Sequence, residues 1–251
     1  MEPSIRIQRQ LEENAMIWGA ISRAVRTPSR VDRDIRQPSS GPTILAGSDQ
    51  FTSETVIAYE AGIRGQLAQR VIGSAAVFYN DYRKIRSIAF TPVTVFPLVI
   101  GNDVEGRSHG VELTMDAEIS DRVRLRAGYT YLKSDLRVRS GGVDVNNALN
   151  ETSDPEHHAS IGTSIDFPRG VEFDTHLRWV DTLENNNEGQ VGTVPSYLDL
   201  NVRMGVHVSD NVEISIVGKN LLDDHHQEIG GTGMNRVEIR RSVFAKVALR
   251  Y

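Results

Sequence analysis

An all-β fold, an antiparallel up-and-down meander of about eleven long strands, is predicted by two features of the sequence. Apolar and polar residues alternate one for one over stretches of roughly ten residues, and the connections between these stretches are short and long by turns. Composition narrows the classes further. The chain has 251 residues, 39% hydrophobic and 24% charged, with a mean hydropathy of −0.32, enough apolar surface to order itself. With 0 cysteines, thiol catalysis, disulfides and cysteine-ligated metals are excluded. The net charge of −5 gives no general attraction to nucleic acid, and its few lysines are Lys84, Lys133, Lys219 and Lys246.

The strands are read near 4–10, 15–24, 56–66, 71–84, 108–118, 122–132, 157–167, 171–180, 197–207, 211–219 and 242–251. In Gly110–Ile119, Val111, Leu113, Met115, Ala117 and Ile119 share one face, because successive strand side chains point to opposite sides. The other face carries Glu112, Thr114, Asp116 and Glu118. Next, Val123, Leu125, Ala127, Tyr129 and Tyr131 oppose Arg122, Arg124, Arg126, Gly128 and Thr130. In Val171–Trp179, Val171, Phe173, Thr175, Leu177 and Trp179 oppose Glu172, Asp174, His176 and Arg178. Leu198, Leu200, Val202, Met204 and Val206 face away from Tyr197, Asp199, Asn201, Arg203 and His207. Val212, Ile214 and Ile216 lie opposite Glu213, Ser215 and Lys219, and Val243, Ala245, Val247, Leu249 and Tyr251 form the last apolar row.

Strands of this length exceed the usual five or six residues and match what a bilayer requires, about 9–11 residues tilted at about 45°. Alternation alone also fits a soluble amphipathic sheet. The connections decide between them. Short ones fall at Leu11–Asn14, Leu67–Arg70, Ile119–Asp121, Pro168–Gly170 and Val208–Asp210. Long ones fall at Val25–Thr55, Ser87–Arg107, Lys133–Glu156, Asp181–Ser196 and Leu222–Arg241, so every long connection lies at one end of the sheet. Short turns on one rim and long loops on the other are the pattern of an outer-membrane barrel. An arginine on the lipid side near the midplane costs about 2–4 kcal/mol, so Arg122, Arg124 and Arg126 must face water on the inside.

Matching stretches then carry a family resemblance through nearly the whole chain: Trp18 to Pro28, Glu54 to Gly65, Ala76 to Tyr82, Gly110 to Leu113, and Tyr129 to Leu132. Val194-Pro195-Ser196-Tyr197-Leu198-Asp199-Leu200-Asn201, Gly218-Lys219-Asn220-Leu221-Leu222-Asp223-Asp224 and the closing strand to Tyr251 follow in order. The sequence resembles the C-terminal half of a TonB-dependent outer-membrane receptor. The resemblance implies that residues 1–251 form part of a 22-stranded transmembrane β-barrel in the outer membrane of a Gram-negative cell. It further implies uptake of a siderophore, vitamin or other scarce small-molecule or metal-chelate ligand. The implied partners are TonB, acting through a plug, the barrel assembly machinery and the lipid bilayer, with no nucleic acid, no cofactor and no covalent chemistry. Under this reading Val243, Ala245, Val247, Leu249 and Tyr251 form the barrel-assembly strand. The reading finds no plug, TonB box or signal peptide here, and expects an eleven-stranded half not to function alone. A passive porin-like barrel and a soluble β-sheet binding module are the alternatives.

Several clusters carry residue types found in functional sites. Asp223-Asp224-His225-His226 with Glu228 offers oxygen and imidazole ligands, or reads as a strand end turning into a loop. Ser153-Asp154 with His157-His158 has hydrolase residue types but no nucleophile elbow. Gly230-Gly231-Thr232-Gly233 does not sit between a strand and a helix as a phosphate loop would. The charged rows read as a ligand path or as cross-strand ion pairs. Trp18, Tyr59, Tyr131, Trp179 and Tyr251 suit interfacial girdles or a plain core. Catalytic and metal-ligating residues are expected to be absent.

Overall fold

The computed structural model describes residues 1–91, 94–149, 154–183, 193–228 and 238–250. Its strands are β1 (Ser4–Glu12), β2 (Ala15–Arg26), β3 (Arg36–Gln37), β4 (Leu45–Ala46), β5 (Glu54–Ala68), β6 (Val71–Thr91), β7 (Val95–Ser120) and β8 (Val123–Val138). They continue with β9 (His157–Phe167), β10 (Val171–Val180), β11 (Tyr197–Ser209), β12 (Val212–Lys219), β13 (His225–Gln227), β14 (Glu238–Arg240) and β15 (Ser242–Leu249). One short helix, α1 (Arg30–Asp34), lies in the β2–β5 connection. The sheet order β1-β2-β5-β6-β7-β8-β9-β10-β11-β12-β15 is the predicted meander, antiparallel at every step.

Register carries the alternation from strand to strand. Because a shift of one residue would flip a whole strand, pairing keeps like faces together. One apolar row passes through Ile17, Ile63, Ala75, Leu113, Tyr129, Ala159, Trp179 and Leu198. Another passes through Val123, Ile165, Phe173, Met204, Ile216 and Ala245. The opposite face runs Arg64, Ser74, Thr114, Gly128, Ser160, Arg178 and Asp199, and lower down Glu118, Arg124, Ser164, Asp174 and Arg203. The apolar face is uncovered: Met204, Ile216, Val243, Val247 and Leu249 are each more than half exposed.

Both edges are open among the described residues, β1 pairing only with β2 and β15 only with β12. Both run toward the short-turn rim, where the Arg250 N–H donates to the Asn211 carbonyl at 2.9 Å. The two edges therefore point the same way, as an odd number of antiparallel strands requires.

Buried apolar side chains gather instead at the long-loop end. Phe51, Ile100 and Val104 are each 1% exposed and Ala148 2%, whereas in the body of the sheet only Ala20 and Ala117 are comparably buried among the described residues. Ile85, Val104 and Ala148 pack together with Tyr82 and Leu136 against them.

Two sequence expectations change. The Ser87–Arg107 stretch is not a loop: β6 and β7 pair as far as Thr91 and Val95, a tall hairpin whose register shifts past Tyr82 disguise the alternation. Lys84 has a φ of 58° there, so the face pattern reverses above it. Trp18 does not join Tyr59, Tyr131 and Trp179. Its pairing with Gln8 and Gly62 puts it on the polar face, over a glycine where a Cβ would lie 2.8 Å from the indole, with Arg6 5.4 Å from its ring centre. Tyr251, Asn185-Asn186-Asn187-Glu188-Gly189 and Gly230-Gly231-Thr232-Gly233 lie outside the described residues.

Candidate functional site

The polar face and the long-loop rim above it bring the charged side chains together. On β2, β5 and β6, Arg26 and Glu54 are register partners. Arg26 Nη2 donates to Glu54 Oε1 at 2.8 Å and its Nε to Oε2, while Glu54 Oε1 also accepts the Arg86 amide at 2.7 Å. Below them a depression of about 450 Å³ is lined by Ala24, Val56, Tyr82, Leu132, Leu136 and Asp154 among others. It is an apolar patch on an otherwise ionic wall.

Asp32 anchors the loop over this depression at 1% exposure. The Ser29-x-x-Asp32 spacing forms a capping box, in which the Asp32 amide donates to Ser29 Oγ at 3.2 Å. The Ser29 amide and hydroxyl donate to Asp32 Oδ2 at 2.9 and 2.8 Å. Arg26 and Arg86 stand 3.6 and 3.8 Å from its two oxygens. Burial pushes the Asp32 carboxyl up, but the Ser29 hydrogen bonds and the two guanidinium charges outweigh it and hold the group below its ordinary value. Sequence reading passed over this centre, although Ser29 and Asp32 carried the signal of a capped helix.

A second group sits on β10, β11 and the β12–β15 connection. Arg178 contacts Asp199 at 3.5 Å and donates to Glu228. His226 stacks on Tyr197, ring centres 4.1 Å apart, and Arg178 lies 5.5 Å from the same tyrosine ring. Burial raises the Glu228 carboxyl, yet the Arg178 hydrogen bond and charge, with His226, bring it below its ordinary value. The His226 side chain is 6% exposed, 3.8 Å from Asp223 and 3.7 Å from Glu228, with neither ring nitrogen hydrogen-bonded. Glu228 is committed to Arg178 and Asp224 to Arg241 at 3.0 Å. Among the described residues no group of three or more His, Asp or Glu side chains is arranged to hold a metal ion.

Lower on the same face Arg203 is a hub, donating to Glu172 at 2.9 Å, to Asp174 at 2.7 Å and to Glu213, while His207 Nε2 lies 2.9 Å from Glu172. Arg126 reaches Asp116 at 3.0 Å and Arg124 reaches Asp166 at 3.2 Å. The acidic and arginine rows thus meet as cross-strand pairs. The Ser153, Asp154, His157 and His158 grouping does not assemble. Ser153 lies outside the described residues, and consecutive strand positions send His157 to the apolar face, hydrogen-bonded to Tyr129 Oη at 2.7 Å, and His158 to the polar face. Val243, Ala245, Val247 and Leu249 share the apolar face of β15.

The arrangement offers fixed charges, aromatic surfaces and an apolar hollow, the means of non-covalent recognition. Comparison with known proteins agrees with this geometry. Residues 3–221 match the family model described as TonB dependent receptor-like, beta-barrel. The chain is 24% identical over 193 residues to a probable TonB-dependent siderophore receptor, PiuA, of Acinetobacter baumannii, covering 73% of this chain and 25% of that protein. It superimposes on the ferric-catecholate import receptor Fiu of E. coli with a TM-score of 0.73 at 19% identity, covering 98% of this chain and 34% of that one. A variant of the ferric enterobactin receptor PfeA of Pseudomonas aeruginosa gives a TM-score of 0.77 at 15% identity, with coverages of 99% and 40%. The chain therefore spans between a quarter and two fifths of the length of these relatives.

Proposed function

The chain belongs to the TonB-dependent receptor-like β-barrel family, and from that premise we propose that it is the C-terminal half of a receptor barrel. The barrel sits in the outer membrane of a Gram-negative cell and imports a siderophore or related metal chelate with energy from TonB. The observation that carries this reading is the register-matched apolar face backed by an ionic face, with every long connection on one rim. In such a barrel the apolar rows meet lipid, since charged groups there would each cost about 2–4 kcal/mol at the midplane. The ionic face borders water and the plug. Arg26, Tyr82, Arg178, Tyr197 and the hollow between β2 and β8 then line the external mouth, where ligand is held before passage. The work is differential binding and gating rather than bond chemistry, and specificity resides in the loops, which a satisfied barrel wall positions. Val243, Ala245, Val247, Leu249 and Tyr251 serve as the strand read by the assembly machinery.

The test uses the full-length protein in an iron-starved host. Uptake of a radiolabelled ferric siderophore that disappears when TonB is deleted is the expected result, and uptake indifferent to TonB would refute the reading. These 251 residues contain 0 cysteines, so once any cysteine elsewhere in the full-length protein is replaced by serine, single cysteines report the wall directly. Leu113→Cys is expected to react only with a lipid-soluble thiol reagent and Glu112→Cys only with a water-soluble one.

A further inference from the structure

The connection between β12 and β15 folds back onto the ionic wall without joining it. Among the described residues its strands β13 and β14 pair with each other alone, from His225–Arg240 to Gln227–Glu238, in a sheet separate from the meander. Lifting them breaks no rung of the wall ladder, and a two-stranded sheet of this size is marginal without support. Side chains supply that support. Asn220 Nδ2 donates to the Ile239 carbonyl at 3.1 Å, the His226 ring lies on Tyr197 with the planes 16° apart, and Arg178 donates to Glu228.

The two arginines of the mouth are satisfied differently. Arg26 pairs with Glu54, a residue of the wall itself. Arg178 meets its wall neighbour Asp199 at 3.5 Å, whereas its close partner Glu228 comes from the connection. The Tyr197 hydroxyl also donates to Glu228, at 3.4 Å. A planar ring laid on Tyr197 and a carboxylate oxygen set against Arg178 are the contacts that an aromatic anion makes with such a pair. The cover is also imperfect. Both ring nitrogens of His226 are buried without a hydrogen-bond partner, which penalises the covered position, because water would satisfy them if the segment lifted.

We propose that His226 and Glu228 are a built-in competitor: they occupy the Tyr197–Arg178 subsite of the mouth, and a ligand presenting an aromatic ring with an anionic oxygen displaces them. The inference rests on the receptor reading above, which puts this subsite on the ligand's route. Apparent affinity is then the intrinsic affinity reduced by the fraction of molecules whose subsite is open. Acid strengthens the cover. Protonation makes both ring nitrogens donors, and those of His226 face Asp223 Oδ2 at 3.8 Å and Glu228 Oε1 at 3.7 Å. Around them β11 contributes Tyr197 and Asp199, β10 contributes Arg178, and β14 sets Ile239 opposite, between Glu238 and Arg240. Asp224 is held by Arg241. Three carboxylates against one guanidinium favour the cationic ring.

The full-length protein in detergent is titrated by calorimetry with the iron(III) complex of 2,3-dihydroxybenzoate, an aromatic anion, and with iron(III) citrate, an anion without a ring. H226A/E228A is expected to bind the aromatic complex about tenfold more tightly than wild type, as it does when roughly one wild-type molecule in ten is open. E228Q alone should shift affinity in the same direction by less, and adding R178A should cancel the gain. His226→Phe keeps a ring on Tyr197 without buried nitrogens, so it should bind more weakly than wild type. Hydrogen exchange over 225–228 and 238–240, corrected for intrinsic rates, should show protection rising from about pH 7.5 to about pH 5.5 in wild type and not in His226→Phe. The aromatic complex should remove that protection and citrate should leave it. No gain in H226A/E228A, a gain that survives R178A, release by citrate, or the same pH response in His226→Phe would each overturn the proposal. Wild-type uptake indifferent to TonB overturns the receptor reading, whereas TonB-dependent uptake with no gain in H226A/E228A overturns the competitor alone.

Discussion

The body of the sheet and the assembly at its long-loop rim are held together by different forces. In the body, strand pairing satisfies the backbone while apolar residues such as Met204 and Val247 lie bare, 57% and 61% exposed. At the rim, Phe51, Ile100 and Val104 are buried and Asp32 is enclosed by Ser29, Arg26 and Arg86. One region relies on its surroundings to cover its apolar surface, and the other covers its own. A wall of this kind tolerates change on its ionic side and resists it on its apolar side. The rim behaves like a small globular core, sensitive to cavities.

The largest expected effect is therefore at the rim. Phe51→Ala removes a ring with 1% exposure that lies under Arg26 at 5.8 Å, and about 3–5 kcal/mol of local stability should go with it. Hydrogen exchange is expected to quicken over 29–52 and leave β10–β12 unchanged. Equal acceleration in both regions would mean that rim and wall unfold as one unit. Next is the wall. Leu113→Arg, central in its apolar row, should cost about 2–4 kcal/mol in a bilayer, whereas Glu112→Arg, one residue away on the ionic face, should stay within about 0.5 kcal/mol. Urea unfolding in lipid vesicles measures both, and similar costs would remove the distinction between the faces.

Acid separates the two regions in another way. The Asp32 carboxyl titrates below its ordinary value in the folded protein. Such a group contributes stability above its unfolded pKa, about 3.9, and that contribution is lost as pH falls through the lower folded value. Amide protection of Ser29 to Asp32 should hold from pH 7 to about 5 and fall below about 4, ahead of protection in β10. Asp32→Asn should weaken the loop at neutral pH by about 1–3 kcal/mol and flatten its pH dependence. A variant with the wild-type acid profile would assign the transition to other carboxylates.

What the sequence makes legible follows the same division. Strand faces are legible because each position has only two possible directions, and the rows of Gly110–Ile119, Tyr197–His207 and Ser242–Leu249 appear in the structure as read. The upper β6–β7 hairpin is not, because Lys84 at positive φ and the register shifts from Tyr82 to Thr91 interrupt the period. Residue type suits Trp18 to a girdle or to a core alike, whereas register with Gln8 and Gly62 decides its side. The Asp32 centre depends on Arg26 and Arg86, six and fifty-four positions away in the chain. No local pattern reports a contact of that range. The cross-strand ion pairs were foreseeable as a class, but the choice of Asp166 rather than Glu118 as the partner of Arg124 depends on side-chain direction.

The smallest expected effect concerns those pairs. Asp116 and Arg126 face each other on neighbouring strands at 3.0 Å with side chains 62% and 85% exposed. Water screens such a pair and holding two long side chains costs entropy, so its coupling energy should be about 0.2–1 kcal/mol. Arg203 differs because it joins three carboxylates from β10 and β12 at 26% exposure, and removing it leaves Glu172, Asp174 and Glu213 repelling one another. A double-mutant cycle on Asp116 and Arg126 should give a coupling that vanishes in about 1 M salt, where the screening length is near 3 Å. The loss caused by Arg203→Ala should persist in salt. If both respond alike, the hub is only a crowded surface pair, and the ionic face would then contribute solubility and a path for ligand but no rigidity to the wall.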